Sequence, residues 1–164
     1  MFQLFENKKR KEYTLASPAT GTIVPLEKVR DPLFSTKMLG EGIAVQPLEG
    51  KIYAPADGKI IQVIDTLHAI SMITDFGAEL IVHVGLDSVK MNGGPFTPHV
   101  KNDDTVKRGD LLLTVDLKAI EDAGFQTVTP VIVCNISDYE KFISINEQSV
   151  NAGDTILTLI EKKR

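Results

Sequence analysis

The chain has 164 residues, 43% of them hydrophobic and 24% charged, with a formal net charge of −4. That length suits one domain with one core, and that composition excludes a disordered or fibrous chain. A mildly acidic chain without a basic stripe is not built for a phosphate backbone, so nucleic acid is not an expected partner.

In chain order, residues 1–12 read as a flexible N-terminal tail. Phe2, Leu4 and Phe5 precede the basic run Lys8, Lys9, Arg10 and Lys11, a pattern that suits at most peripheral contact with an anionic membrane surface. The apolar stretch is too short for a signal-peptide core, and its basic residues follow it instead of leading it. No later run is long enough to span a bilayer, so a cytoplasmic location is expected.

From Tyr13 the texture changes, and residues 13–164 read as a single domain. Strand-length runs of Val, Ile, Leu and Thr, bounded by Gly, Pro, Asp and Asn, occur at 21–25, 42–47, 59–64, 78–84, 111–115, 128–134 and 155–160. A helix is expected over 117–123, behind Asp116 as N-cap and ended by Gly124. A further helical turn is expected around 137–142. Cys134, the only cysteine, sits in a run of Val and Ile and reads as a small core residue. The class is all-β, a sandwich or barrel with small helical pieces.

Two internal repeats sharpen that reading. Pro18-Ala19-Thr20-Gly21-Thr22-Ile23 recurs as Pro55-Ala56-Asp57-Gly58-Lys59-Ile60. Val106-Lys107-Arg108-Gly109-Asp110-Leu111 recurs as Val150-Asn151-Ala152-Gly153-Asp154-Thr155. One pair lies early and the other late, so the copies are interleaved. One sandwich with pseudo-symmetric halves accounts for that arrangement.

Of the three histidines, His99 follows Pro98 in a polar stretch and reads as a solvated loop residue. His83 lies inside Glu79-Leu80-Ile81-Val82-His83-Val84-Gly85. Alternation puts Leu80, Val82 and Val84 on a core face and Ile81, His83 and Gly85 on the other. Gly85 leaves room for close approach beside His83. In Thr66-Leu67-His68-Ala69-Ile70, alternation groups Thr66, His68 and Ile70. If the two strands pair through a turn at Asp75-Phe76-Gly77, the imidazoles stand side by side. Such a pair suits phosphoryl transfer, with one ring nitrogen attacking phosphorus and the other ring donating to phosphoryl oxygens. A hydroxyl such as that of Thr66 would fix one ring's tautomer. Zinc is the competing use, but a stable site wants a third ligand, and no His-x-His or His-Glu-x-x-His pattern occurs. No metal and no cofactor are expected.

The segment Gly77-Ala78-Glu79-Leu80-Ile81-Val82-His83-Val84-Gly85-Leu86-Asp87-Ser88-Val89 closely resembles the active-histidine signature of the glucose-type enzyme IIA domain of the bacterial phosphoenolpyruvate-dependent sugar phosphotransferase system. Asp31-Pro32-Leu33-Phe34-Ser35, Met38-Leu39-Gly40-Glu41-Gly42-Ile43-Ala44, Thr66-Leu67-His68-Ala69 and Thr129-Pro130-Val131-Ile132-Val133 are similar to other parts of that family. The resemblance implies an antiparallel β-sandwich of duplicated barrel-sandwich hybrid type with a few short helical turns. It implies a phosphotransferase acting through N-phosphohistidine, without a cofactor. His83 matches the residue that takes the phosphoryl group from the carrier protein HPr and passes it to a cysteine on a sugar-specific enzyme IIB, usually part of a membrane IIBC protein. His68 matches the histidine that stabilises and transfers the group, and Thr66 a threonine in their hydrogen-bond network. Val45, Ile70, Phe76 and Val84 are the expected docking face for both partners. Ser88 stands where the family has Thr, and Pro95 where it has a second Gly, so the loop past His83 is expected to differ.

Three rival readings have their own signatures. A biotinyl or lipoyl carrier needs a lysine on a tight hairpin, and Lys37-Met38 is a poor match. A zinc hydrolase on a related sandwich needs three ligands, and two are offered. A regulatory binding protein would keep the fold and its protein targets without the transfer.

Overall fold

The computed structural model describes residues 9–163. The membrane-contact reading of Phe2, Leu4 and Phe5 therefore lies outside the described residues.

The strands are β1 (Glu12–Ala16), β2 (Gly21–Pro25), β3 (Glu41–Pro47), β4 (Lys51–Tyr53), β5 (Gly58–Val63), β6 (Ala69–Thr74), β7 (Glu79–His83), β8 (Phe96–Pro98), β9 (Thr105–Val106), β10 (Leu111–Val115), β11 (Thr129–Val133), β12 (Tyr139–Ser144), β13 (Ser149–Val150) and β14 (Thr155–Glu161). Two short helices, α1 (Pro32–Ser35) and α2 (Leu117–Asp122), and three 3-10 turns complete the chain. The sheets run β1-β14-β12, β4-β10-β8 and β13-β2-β3-β11-β7-β6-β5-β9, antiparallel throughout. Among the described residues no helix is long and apolar enough to cross a membrane.

This is the expected all-β sandwich. Its inner faces carry an aliphatic core that includes Leu15, Ile23, Ile43, Ile60, Leu80, Val82, Leu112 and Leu157. A smaller cluster, built from Leu26, Val29, Phe34, Ala44, Leu86, Val128 and Ile132, lies beside it. Asp116 caps α2 as expected, its carboxylate accepting from the Ala119 amide at 3.1 Å. The helical turn expected at 137–142 is corrected: a 3-10 turn, Ile136–Asp138, gives way to β12, which pairs with β14. A distant strand takes up backbone groups that the local sequence would have left to a helix.

The repeats occupy equivalent hydrogen-bonded positions. Ala54 donates to the Asp110 carbonyl at 2.8 Å, and its equivalent Ser17 donates to the Asp154 carbonyl at 2.7 Å. Gly109 donates to Ala54 at 2.9 Å, and Gly153 to Ser17 at 3.0 Å. Between the copies, Ala16 donates to Pro55 and Tyr53 to Pro18, both at 2.8 Å. Each early repeat is thus bonded to a late one, which is why the copies interleave. The chain ends meet as well. Glu12 faces Ile160 in the β1–β14 pair, the Lys11 amide donates to Glu161 at 3.1 Å, and Arg10 is ion-paired with Glu140.

Candidate functional site

The site grows from the β6–β7 hairpin. Its turn is where the sequence put it: Gly77 has φ +91 and donates to the Thr74 carbonyl at 2.9 Å, and the Thr74 hydroxyl accepts from the Ala78 amide at 2.9 Å. The register pairs Ile70 with Val82, Ser71 with Ile81 and Ala69 with His83. Ile70 and Val82 are buried, so Ile81 and His83 point to the other face.

His68 reaches that site by leaving the pleat. Continued alternation would place it with Ile70 on the buried face, away from His83. The ladder stops at Ala69, and Leu67 turns the chain through φ +63, while the His68 carbonyl still accepts from Val84 at 2.8 Å. The two rings meet edge to face, with centroids 4.7 Å apart and planes at 82°. The imidazoles are side by side as expected, but irregular strand ends bring them there.

Each ring is fixed by its Nδ1. His83 Nδ1 lies 2.8 Å from the Gly85 carbonyl oxygen. A carbonyl only accepts, so Nδ1 carries the proton and Nε2 keeps its lone pair. His68 Nδ1 lies 2.8 Å from the Thr66 hydroxyl. Thr66 therefore orients His68 directly and His83 only through it.

Gly85 differs from its sequence reading. Its φ of +80 aims the carbonyl at His83, and an added Cβ would come 2.7 Å from the Gln126 carbonyl oxygen. What approaches Gly85 closely is this chain's own backbone. The turn is braced by Gly85 donating to Val128 at 3.0 Å, Leu86 to Gln126 at 3.0 Å and the buried Ser88 hydroxyl to Val84 at 2.5 Å.

Both imidazoles are held neutral. Burial, and then the neighbouring His68 ring, push the His83 pKa down from 6.5 to about 4. Burial also lowers that of His68. Two aromatic rings help to exclude water. Phe34 meets His83 edge-on at 5.0 Å and 61°, and Phe96 lies 6.4 Å from His68. Neither ring was singled out from the sequence. The signal available for Phe34 was an apolar pair, Leu33-Phe34, in a segment with no strand or helix period.

The expected docking face needs correction. Val45, Ile70 and Val84 are buried in the core and present nothing to a partner. Phe76 sits at the hairpin turn, at the opposite end of β7 from His83, stacked on Tyr13 at 4.5 Å. Alternation says which residues share a face, not which face a second layer covers. Apolar side chains open to solvent in the segments around the two histidines include Leu33, Met38, Ile64 and Val89, with Met38 73% exposed. His99 stands apart, with Nε2 2.6 Å from the Thr114 hydroxyl. Among the described residues no three His, Cys, Asp or Glu side chains gather to hold a metal ion.

Comparison with known proteins accounts for this arrangement. Residues 13–139 match the family described as phosphoenolpyruvate-dependent sugar phosphotransferase system, EIIA 1. The glucose-specific EIIA component of Oceanobacillus iheyensis is 42% identical over 153 residues, covering 92% of this chain and 93% of the relative. The β-glucoside-specific EIIBCA component of Halalkalibacterium halodurans is 43% identical over 145 residues, which span 23% of that longer protein. Among solved structures, the glucose permease IIA of Mycoplasma capricolum superimposes with a TM-score of 0.83 at 31% identity, over 96% of this chain and 99% of that one. A sandwich of interleaved repeats, matched over nearly its full length in sequence and in shape, leaves one assignment: the chain belongs to the EIIA 1 family of the phosphoenolpyruvate-dependent sugar phosphotransferase system, whose members are phosphocarriers.

Proposed function

We propose that His83 is the residue that bears the phosphoryl group, received from phosphohistidine HPr and delivered to the cysteine of a sugar-specific EIIB. The observation that carries this reading is the hydrogen bond from His83 Nδ1 to the Gly85 carbonyl, which leaves Nε2 as the free nucleophile. Its lone pair attacks phosphorus, and the bond from phosphorus to the HPr ring nitrogen breaks with its electron pair returning to that ring. In the second half the thiolate of EIIB attacks, and the electron pair of the phosphorus–nitrogen bond returns to His83 Nε2.

His68 has the supporting role. In the tautomer in which the Thr66 hydroxyl donates to Nδ1, the other nitrogen carries a proton and donates it in a hydrogen bond to a phosphoryl oxygen. Little more is needed, because phosphoryl transfer rests on positioning and on charge stabilisation in a dry site. Leu33, Met38 and Val89 supply the apolar rim against which HPr and EIIB dock. EIIA domains interact with EIIB domains, and the β-glucoside relative carries the EIIB, EIIC and EIIA parts in one chain. The carrier acts in the cytoplasm, and its EIIB and EIIC partners select the sugar.

The test is phosphoryl uptake from phosphoenolpyruvate through enzyme I and HPr, read as an acid-labile mass gain on the intact chain. Wild type gains one phosphoryl group, and His83→Ala gains none. His68→Ala accepts the group but passes it to EIIB at least about a hundredfold more slowly. A folded wild type that takes no label would sink the proposal.

A further inference from the structure

Phe34 is the aromatic side chain that α1 lays against His83, and it is itself only 1% exposed. α1 has four residues, too few to hold itself in place. Asp31 secures its start, the carboxylate accepting from the Leu33 amide at 3.0 Å. Its end is secured by Lys37. That residue turns the chain through φ +62, a conformation a lysine keeps only where its surroundings hold it. Its amide donates to the Phe34 carbonyl at 3.0 Å, and its own carbonyl accepts from Gly40 at 3.2 Å.

The Lys37 ammonium lies 3.0 Å from Glu27 and 3.2 Å from Glu41. Glu27 stands in the 3-10 turn Leu26–Lys28, where the covering segment begins. Glu41 opens β3 opposite Val133 of β11, and β11 is the neighbour of β7. One cation thus ties both ends of the segment to the sheet that bears His83. The second oxygen of Glu41, Oε2, is buried without a hydrogen-bond partner, so this carboxylate relies on Lys37 for its counter-charge. Hydrogen bonds to the two carboxylates raise the Lys37 pKa, in keeping with a formed bridge.

We propose that Lys37 is a positioning residue for phosphoryl transfer: its bridge between Glu27 and Glu41 holds Phe34 against the His83 ring and keeps that ring shielded and aimed. This rests on the reading of His83 as the phosphoryl-bearing residue. The Glu27 arm of the bridge is the more exposed and adds little to stability, but loss of Lys37 also leaves Glu41 without its counter-charge, so Lys37→Met lowers the melting temperature as well. The readout that a merely structural role would not move is the His83 pKa. The charged and titratable groups that act on His83 are His68, just ahead of β6, and Asp31, ahead of α1, and substitution of Lys37 removes neither.

The test compares Lys37→Met, Lys37→Gly and Lys37→Arg in the full chain. It reads the His83 pKa by NMR titration and the rate of phosphoryl uptake from HPr. Lys37→Met raises the His83 pKa from about 4 toward 6.5 by about one unit and slows uptake about tenfold, mainly in kcat. Lys37→Gly relieves the left-handed turn but has no ammonium, and behaves like Lys37→Met. Lys37→Arg keeps the bridge and restores both readouts. A wild-type His83 pKa and uptake rate in Lys37→Met would overturn the proposal, as would full function in Lys37→Gly. If Lys37→Met fails to fold, Glu27→Gln removes one arm of the bridge, and an unchanged His83 in that variant is equally fatal. The titration needs no phosphoryl donor. A wild type that takes no label therefore refutes the carrier reading and leaves the bridge to be decided by the pKa alone.

Discussion

His83 folds neutral in a place where the unfolded chain would let it charge. Its pKa is about 4 in the fold, against 6.5 free, so between those values the unfolded state binds more protons. Stability then rises with pH across that window; the contribution is complete above 6.5 and is lost as pH falls through about 4. The shift corresponds to up to about 3 kcal/mol, less what solvent screens at the half-buried ring. His83→Gln is thus expected to lose less stability than wild type on going from pH 7 to pH 4.5, and urea unfolding at both pH values checks it. The pairing of His68 with His83 was legible in the sequence because a turn signal lay between two strand-like runs. The manner of their meeting was not. It depends on Leu67 at φ +63 and Gly85 at φ +80, conformations that no alternation pattern encodes.

Among the elements, the strands legible to the residue were those whose backbone pattern and apolar run coincide. β2 and β10 begin and end where their sequences predict. β4, β8, β9 and β13 have two or three residues each, too few to show a period of two. They exist because a longer strand offers them partners. β3 shows how tightly those partners press. A Cβ on Gly42 would lie 1.9 Å from the Val131 carbonyl oxygen in β11, and backbone on both sides cannot yield. Gly42→Ala is expected to cost more than about 3 kcal/mol and to disturb β11, which supports β7. Thermal unfolding measures the loss, and NMR shifts of the His83 ring measure its spread. Against this, the four-residue α1 escaped the sequence reading because its fixation comes from Asp31, Lys37 and the side chains of Glu27 and Glu41, not from helical periodicity.

For the molecule as a whole, the repeats read from the sequence predict the duplicated sandwich correctly, since each copy ends in the same hydrogen bonds as its twin. The closure of the chain on itself was not visible, because β1 and β14 share no local signal. Glu12 and Ile160 lie opposite each other in that pair. A circular permutant is therefore expected to fold, with residues 9 and 163 joined by a short Gly-Ser linker and new ends at Gly124, in an exposed turn where φ is +86. Circular dichroism and an unchanged pair of imidazole resonances would verify it, and a permutant without a cooperative melt would count against it. The β1–β14 pairing also sets a clock on biosynthesis. Of the described strands β14 is synthesised last, and until it emerges β1 and β12 lack their common partner. Until then two strand edges stay open, so the emerging chain is most exposed to mispairing just before β14 is made.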